Sequence, residues 1–142
     1  GLRRMHTAEH VLNGTMVRLF GCGRCFSSHI NADKSKCDYH FERPINDAEA
    51  ASLEERVNAV LQSNAPVSEI FMPKEEAEKR FSLSRLPEGT EGDLRIVLVG
   101  DYDACPCSGQ HVENTSEAGR MRIISHSFAD GVLRLRFKLQ GL

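Results

Sequence analysis

"RMRIISHSFADGVLRLRFKL", residues 120–139, decides the architecture. In its second half Leu133, Leu135, Phe137 and Leu139 alternate with Arg134, Arg136 and Lys138, the two-residue period of a strand with one apolar face and one wet face. The run before it, residues 120–128, is also strand-like, and only "ADG" at 129–131 separates the two. Three residues cannot form a parallel crossover, which takes about a dozen. The neighbouring strands are therefore expected to be antiparallel.

Helical patterns lie upstream. Met5, Ala8, Val11, Leu12, Met16, Leu19 and Phe20 recur at helical spacing over residues 3–20, and Gly21 follows as a stop. Residues 25–42, "CFSSHINADKSKCDYHFE", read as two short strands around a turn at 31–34. A second helix is expected over about 47–63, capped by Asn46 with Glu49 three residues on, and striped by Leu53, Val57, Val60 and Leu61. "PVSEIFM" (66–72) reads as a strand and "PKEEAEKRF" (73–81) as a short helix with Pro73 in its first position and a solvated charged face. After the loop "LPEGTEGD" (86–93), "LRIVLVG" (94–100) is strand-like. Together these predict an α+β fold, an antiparallel sheet with helices packed on one side. With 142 residues, 40% of them hydrophobic, residues 1–142 are expected to form a single domain.

Composition narrows the function. With 18 basic and 20 acidic residues there is no global basic excess, so any RNA contact has to be local. No run of 18 apolar residues occurs, and no charged start leads into an apolar stretch, so neither a membrane span nor a signal peptide is expected. Five cysteines, an odd number, argue for the reducing cytoplasm, where thiolates bind metals or stay reduced.

Chemistry concentrates in two places. In "HTAEH" (6–10), His6 and His10 are one helical turn apart and emerge from the same face. In "CPCSGQHV" (105–112), Cys107 and His111 are four apart in a segment that Pro106 and Gly109 keep from being a regular helix. Thiolate and imidazole donors suit Zn²⁺ better than Mg²⁺ or Ca²⁺, and two ligands from a helix can meet two from a loop tetrahedrally. His6, His10, Cys107 and His111 are therefore the expected zinc ligands. Cys105, two residues from the ligand thiol, is expected to line the pocket. "CGRC" at 22–25 has half-motif spacing, but reads as separate thiols after a helix, and His29, His40 and His126 read as isolated strand histidines.

These residues carry a resemblance. "HTAEH", "SSHINADKSKCDYHF" (27–41) and "DACPCSGQHVENTSEAG" (103–119) resemble, in that order, the alanyl-tRNA editing protein (AlaX) family, itself similar to the editing domains of alanyl- and threonyl-tRNA synthetases. Cys107, Gly109, His111, Asn114, Thr115 and Glu117 match the family's Cys-x-Gly-x-His and Asn-Thr-Gly-Glu patterns, with Ser116 replacing the glycine. The resemblance implies an α+β editing domain that binds zinc and hydrolyses the ester of mischarged tRNA, commonly seryl- or glycyl-tRNA for alanine. Departures are Glu9 for a usual threonine, Ser27 and Ser28 for Gly-Ser, Cys37, Asp38 and Tyr39 for Phe-Asp-Phe, and Gln110 for threonine or proline.

Glu9, beside His10, is the candidate base for the attacking water, and Ser28, Gln110 and Cys105 are candidates to read the substrate. Four protein ligands would describe a closed structural site, whereas a catalytic zinc keeps a position open. A non-catalytic, zinc-structured domain that binds tRNA or another protein is therefore the second reading. A third, the His-x-x-Glu-His pattern of inverted zinc proteases, leaves Cys107 and His111 unexplained and ranks below both. Arg3, Arg4, Arg18 and Arg24 are candidate phosphate contacts near the acceptor end of tRNA. The absence of a recognisable aminoacylation segment favours an independent trans-editing factor.

Overall fold

The computed structural model describes residues 2–81, 92–107 and 109–140. Helix α1 spans Leu2–Phe20, followed by strands β1 (Ser27–His29) and β2 (Ser35–His40), helix α2 (Asp47–Leu61), strand β3 (Val67–Pro73) and helix α3 (Lys74–Glu78). Strands β4 (Asp93–Val99), β5 (Asp103–Pro106), β6 (Arg120–Ala129) and β7 (Val132–Gln140) follow among the described residues, with a 3-10 turn at Thr115–Ala118 between β5 and β6.

All the described strand pairs are antiparallel, and the short connections require it of β1–β2, β4–β5 and β6–β7. At the β6–β7 turn Asp130 and Gly131 both take positive φ, 51° and 78°, the left-handed pair that matches the twist of a two-residue hairpin. The strands form two sheets, one of order β1-β2-β7-β6 and one of order β3-β4-β5. The second sheet was not legible in advance, because which strand "PVSEIFM" joins depends on partners about 30 residues away and not on its own pattern. Strand β5 was also unforeseen. It is an edge strand that ends on Pro106, where a missing N–H costs no ladder bond.

The larger sheet carries the main core. Leu133, Leu135 and Phe137 of β7 are fully buried and pack in one cluster with Met5, Ala8, Val11, Leu12 and Met16 of α1 and Leu53, Val57 and Leu61 of α2. Both helices thus cover one face of that sheet. The opposite face of β7 carries Arg134, which pairs with Asp38 of β2 at 2.8 Å. A smaller cluster of Met72, Ala77, Leu94 and Ile96 holds α3 to the second sheet. Pro73, expected as the first residue of α3, stands one place earlier, as the end of β3 and the helix cap. Residues 82–91 contain most of the expected 86–93 loop and lie outside the described residues.

Helix α2 starts where the capping signal placed it. The Glu49 N–H donates to Asn46 Oδ1 at 2.8 Å, and the Asn46 N–H donates back to Glu49 Oε1 at 3.1 Å. Asn46→Ala is expected to cost about 1 kcal/mol of stability, read as a shift in the urea midpoint with unchanged m-value. The second capping box, Asn114 with Glu117, opens the 3-10 turn.

Candidate metal centre

Helix α1 runs beneath the β4–β5 hairpin and the loop that follows it, so the histidine turn at its start meets residues about a hundred positions later. His10, Cys107 and His111 each bring one donor atom within 4.8 Å of the others. Cys107 Sγ lies 3.4 Å from His111 Nε2, and the rings of His10 and His111 meet edge-on at 4.6 Å between centroids. His6 stands at the rim: its ring centroid is 6.1 Å from that of His111, and its side chain keeps 28% of its surface exposed. Three of the four expected ligands are thus gathered, with the fourth beside them.

Each ring is held from behind. His10 Nδ1–H donates to Asp103 Oδ2 at 3.2 Å, which leaves Nε2 as the nitrogen available to an ion. Asp103 is buried and takes a two-pronged bond from Arg24, 2.5 Å to Oδ1 and 3.1 Å to Oδ2. Gly14 permits this approach, because a Cβ there would lie 3.2 Å from Asp103 Oδ1. Thr7 orients the other ring. Its hydroxyl donates to the Arg3 carbonyl at 3.0 Å and accepts from the Val112 N–H at 3.2 Å, leaving it to accept from His111 Nδ1–H at 3.3 Å. His111 Nε2 is then unprotonated on the side of Cys107.

The loop is fixed by Arg95 of β4, which donates to the carbonyls of Cys107 (3.1 Å) and Gly109 (2.6 Å) and is itself paired with Glu69. The Gly109 N–H donates to Cys107 Sγ at 3.3 Å. A side chain at Gly109 would crowd His6, since its Cβ would sit 3.3 Å from that ring's Nδ1.

Electrostatics favour ligand forms of two donors. Burial, with the nearby charges of His10, His6 and Arg95, pushes the His111 pKa down to about 3, so this ring is neutral near pH 7. Burial alone would raise the Cys107 thiol, but the hydrogen bond and charge of His10 and the Gly109 N–H outweigh it and bias Cys107 toward thiolate. For His10, burial opposes the cation, yet Asp103 and the sulfurs of Cys105 and Cys107 hold its pKa well above the ordinary value. Asp103 sits below the usual carboxylate range: burial raises it, and bonds from His10 and Arg24 more than offset that.

The remaining expected site residues are dispersed around this centre. Cys105 Sγ lies 3.7 Å from His10 Nδ1, on the Asp103 side of the ring. Gln110 is exposed and accepts from Arg3 Nε at 3.0 Å. Ser28, half-buried in β1, stands opposite Cys37 in register. Glu9 is buried, with Oε1 4.0 Å from His6 Nδ1. The arginines expected to face phosphate are engaged within the molecule. Arg24 is committed to Asp103, Arg18 bonds the Gly14 carbonyl and stacks over Tyr102, and Arg4 caps the Ala118 carbonyl. Only Arg24 is neutralised by its partner; Arg4 and Arg18 bond uncharged carbonyls and keep their charge.

Asp103, Thr7 and Arg95 went unnoticed in the sequence, although the first two lie inside the quoted motifs. Asp103→Asn is expected to weaken metal binding roughly 10–100-fold, measured by competition with a chromophoric chelator; unchanged affinity would show that Asp103 does not position His10.

Comparison with known proteins gives these features a class. Residues 94–136 match the family described as the threonyl and alanyl tRNA synthetase second additional domain. Over 96% of its length the chain is 34% identical to the alanine–tRNA ligases of Staphylothermus marinus and Aeropyrum pernix, and over 95% it is 31% identical to that of Treponema denticola. The chain spans 15%, 16% and 23% of those relatives. Antiparallel α+β fold, donor motifs and matches together make the chain similar to the second additional domain of these synthetases. Within that class, the chain resembles an editing-domain-like protein of the alanyl-tRNA editing (AlaX) type.

Proposed function

We propose that the chain hydrolyses the ester of mischarged aminoacyl-tRNA, serine or glycine on alanine tRNA, at a zinc ion held by His10, Cys107 and His111. The observation that carries this reading is the convergence of those three donors, each with its own anchor behind it. The donor set fits the metal: imidazole and thiolate are both zinc donors, and three protein ligands leave a fourth position for water or substrate. His6, set back at the rim, is a weaker donor on which the resting site does not depend. Bound there, zinc supplies polarisation of the ester carbonyl or a bound water whose pKa falls toward about 7.

The chain's own residues supply the rest. Glu9, through Oε1, takes a proton from the water that attacks the carbonyl carbon; the ester C–O bond breaks, and the terminal ribose hydroxyl recovers a proton. Cys105 and Ser28 border the amino acid, and Gln110 with Arg3 edges the loop where the tRNA terminus enters. Mischarged tRNA is then the partner and the cytoplasm, where tRNA is charged, the compartment. No helix among the described residues is long and apolar enough to cross a membrane.

The test is to incubate the protein with seryl-, glycyl- and alanyl-tRNA of the alanine type and follow loss of labelled amino acid. Rapid loss of serine or glycine with alanine retained is expected. If no mischarged species turns over, the domain is a zinc-structured module that binds tRNA or protein without catalysis.

A further inference from the structure

Glu9, Cys25 and Cys37 meet in the interior from three places: α1, the segment ahead of β1, and the middle of β2. Glu9 Oε2 stands 3.6 Å from Cys25 Sγ and 4.0 Å from Cys37 Sγ, and the three donor atoms all lie within 4.8 Å of one another. Three atoms so spaced can all lie within about 2.5 Å of one point, close to the zinc–thiolate bond length of about 2.3 Å. None of the three belongs to the His10–Cys107–His111 group.

The mounting is rigid. Asn13, one turn beyond Glu9 on α1, accepts from the Cys25 N–H at 3.2 Å and from the Tyr39 hydroxyl at 2.7 Å through the same Oδ1. Cys37 is fixed on both sides of its strand, opposite Ser28 of β1 and Leu135 of β7. All three donors are nearly or fully buried, with Glu9 at 7%, Cys25 at 3% and Cys37 at 0% exposure.

We propose that Glu9, Cys25 and Cys37 form a second metal site, built for a divalent ion of the zinc type. Two sulfurs exclude Mg²⁺ and Ca²⁺, which take oxygen, and the carboxylate disfavours Cu⁺, which takes soft donors. As the ion binds, each thiol gives its proton to solvent, and the two thiolates and the carboxylate coordinate it. With so little exposed surface, the ion enters as the chain folds around it. Glu9 then links the two centres, with Oε2 on the buried ion and Oε1 toward His6. The "CGRC" pair is divided accordingly: Cys25 turns inward to this site, whereas Cys22 bonds the Met16 carbonyl.

The experiment counts zinc per folded chain by native mass spectrometry and elemental analysis, on protein prepared with reductant and zinc. The wild type is expected to hold two ions, Cys107→Ala one, Cys25→Ser one, and the double variant none. A wild type with a single ion that Cys25→Ser retains overturns the proposal. Should Cys25→Ser fail to fold, the unaltered chain is loaded with Co²⁺. Sulfur-to-cobalt charge-transfer absorption worth three thiolates supports the second site, and absorption worth one overturns it. Failure of the editing reading looks different: two ions per chain without deacylation removes the enzyme and leaves this site standing.

Discussion

Cys107→Ala protein is expected to lose the metal of the loop site and at least 100-fold in deacylation rate while remaining folded. Cys107 is the one sulfur among the three gathered donors, and only half-buried, so its truncation opens no core cavity. Two imidazoles that remain are a poor zinc site, since even losing a group behind a ligand costs about 10–100-fold in affinity or activity. His6→Ala should behave otherwise, weakening binding while keeping stoichiometric metal, because its ring lies outside the three-donor group. Equal losses in the two variants would make His6 a full ligand and the site four-coordinate and closed. The readouts are zinc content by elemental analysis and the single-turnover rate on seryl-tRNA.

The second large effect concerns stability. Phe137→Ala should cost about 3–5 kcal/mol and lower the melting temperature by roughly 10–20 °C, because the ring is fully buried where β7 meets both long helices. Its neighbour Arg136 points to the other face of the same strand, and Arg136→Ala is expected to shift stability by no more than about 0.5 kcal/mol. Calorimetry on the pair measures the alternation directly. Similar losses for the two would mean that the strand is not one-sided.

What could be read from the sequence was local. The alternation in β7, the two-residue turn before it and the Asn46–Glu49 cap each lie within one element, where period and side-chain chemistry are enough. The division into two sheets was not legible, because strand partners are chosen by long-range packing. The short strand β5 was hidden by Pro106 and by a "CPC" spacing that looked like a loop.

The candidate site divides in the same way. His6, His10, Cys107 and His111 stood out because donor types at ligand spacing are rare, whereas that His6 is set back from the other three depends on how the loop lies over α1. The anchors were invisible because a lone Asp or Arg has no signature until its partner is known. Arg24 is the clearest case: in sequence it reads as a surface cation near a helix end, and in the fold its charge is spent on Asp103, 79 residues away. Likewise Cys25 and Cys37 are ordinary thiols until the β1–β2 register and Asn13 bring them to Glu9.

Metal dependence of turnover tests the central claim most directly. Zinc is stripped from the protein with a chelator under reductant, and seryl-tRNA hydrolysis is followed as zinc is added back. The account predicts that the rate collapses on removal and recovers as the His10–Cys107–His111 site refills, with no recovery in Cys107→Ala. Metal-free protein that hydrolyses seryl-tRNA as fast as the zinc-loaded form would contradict it.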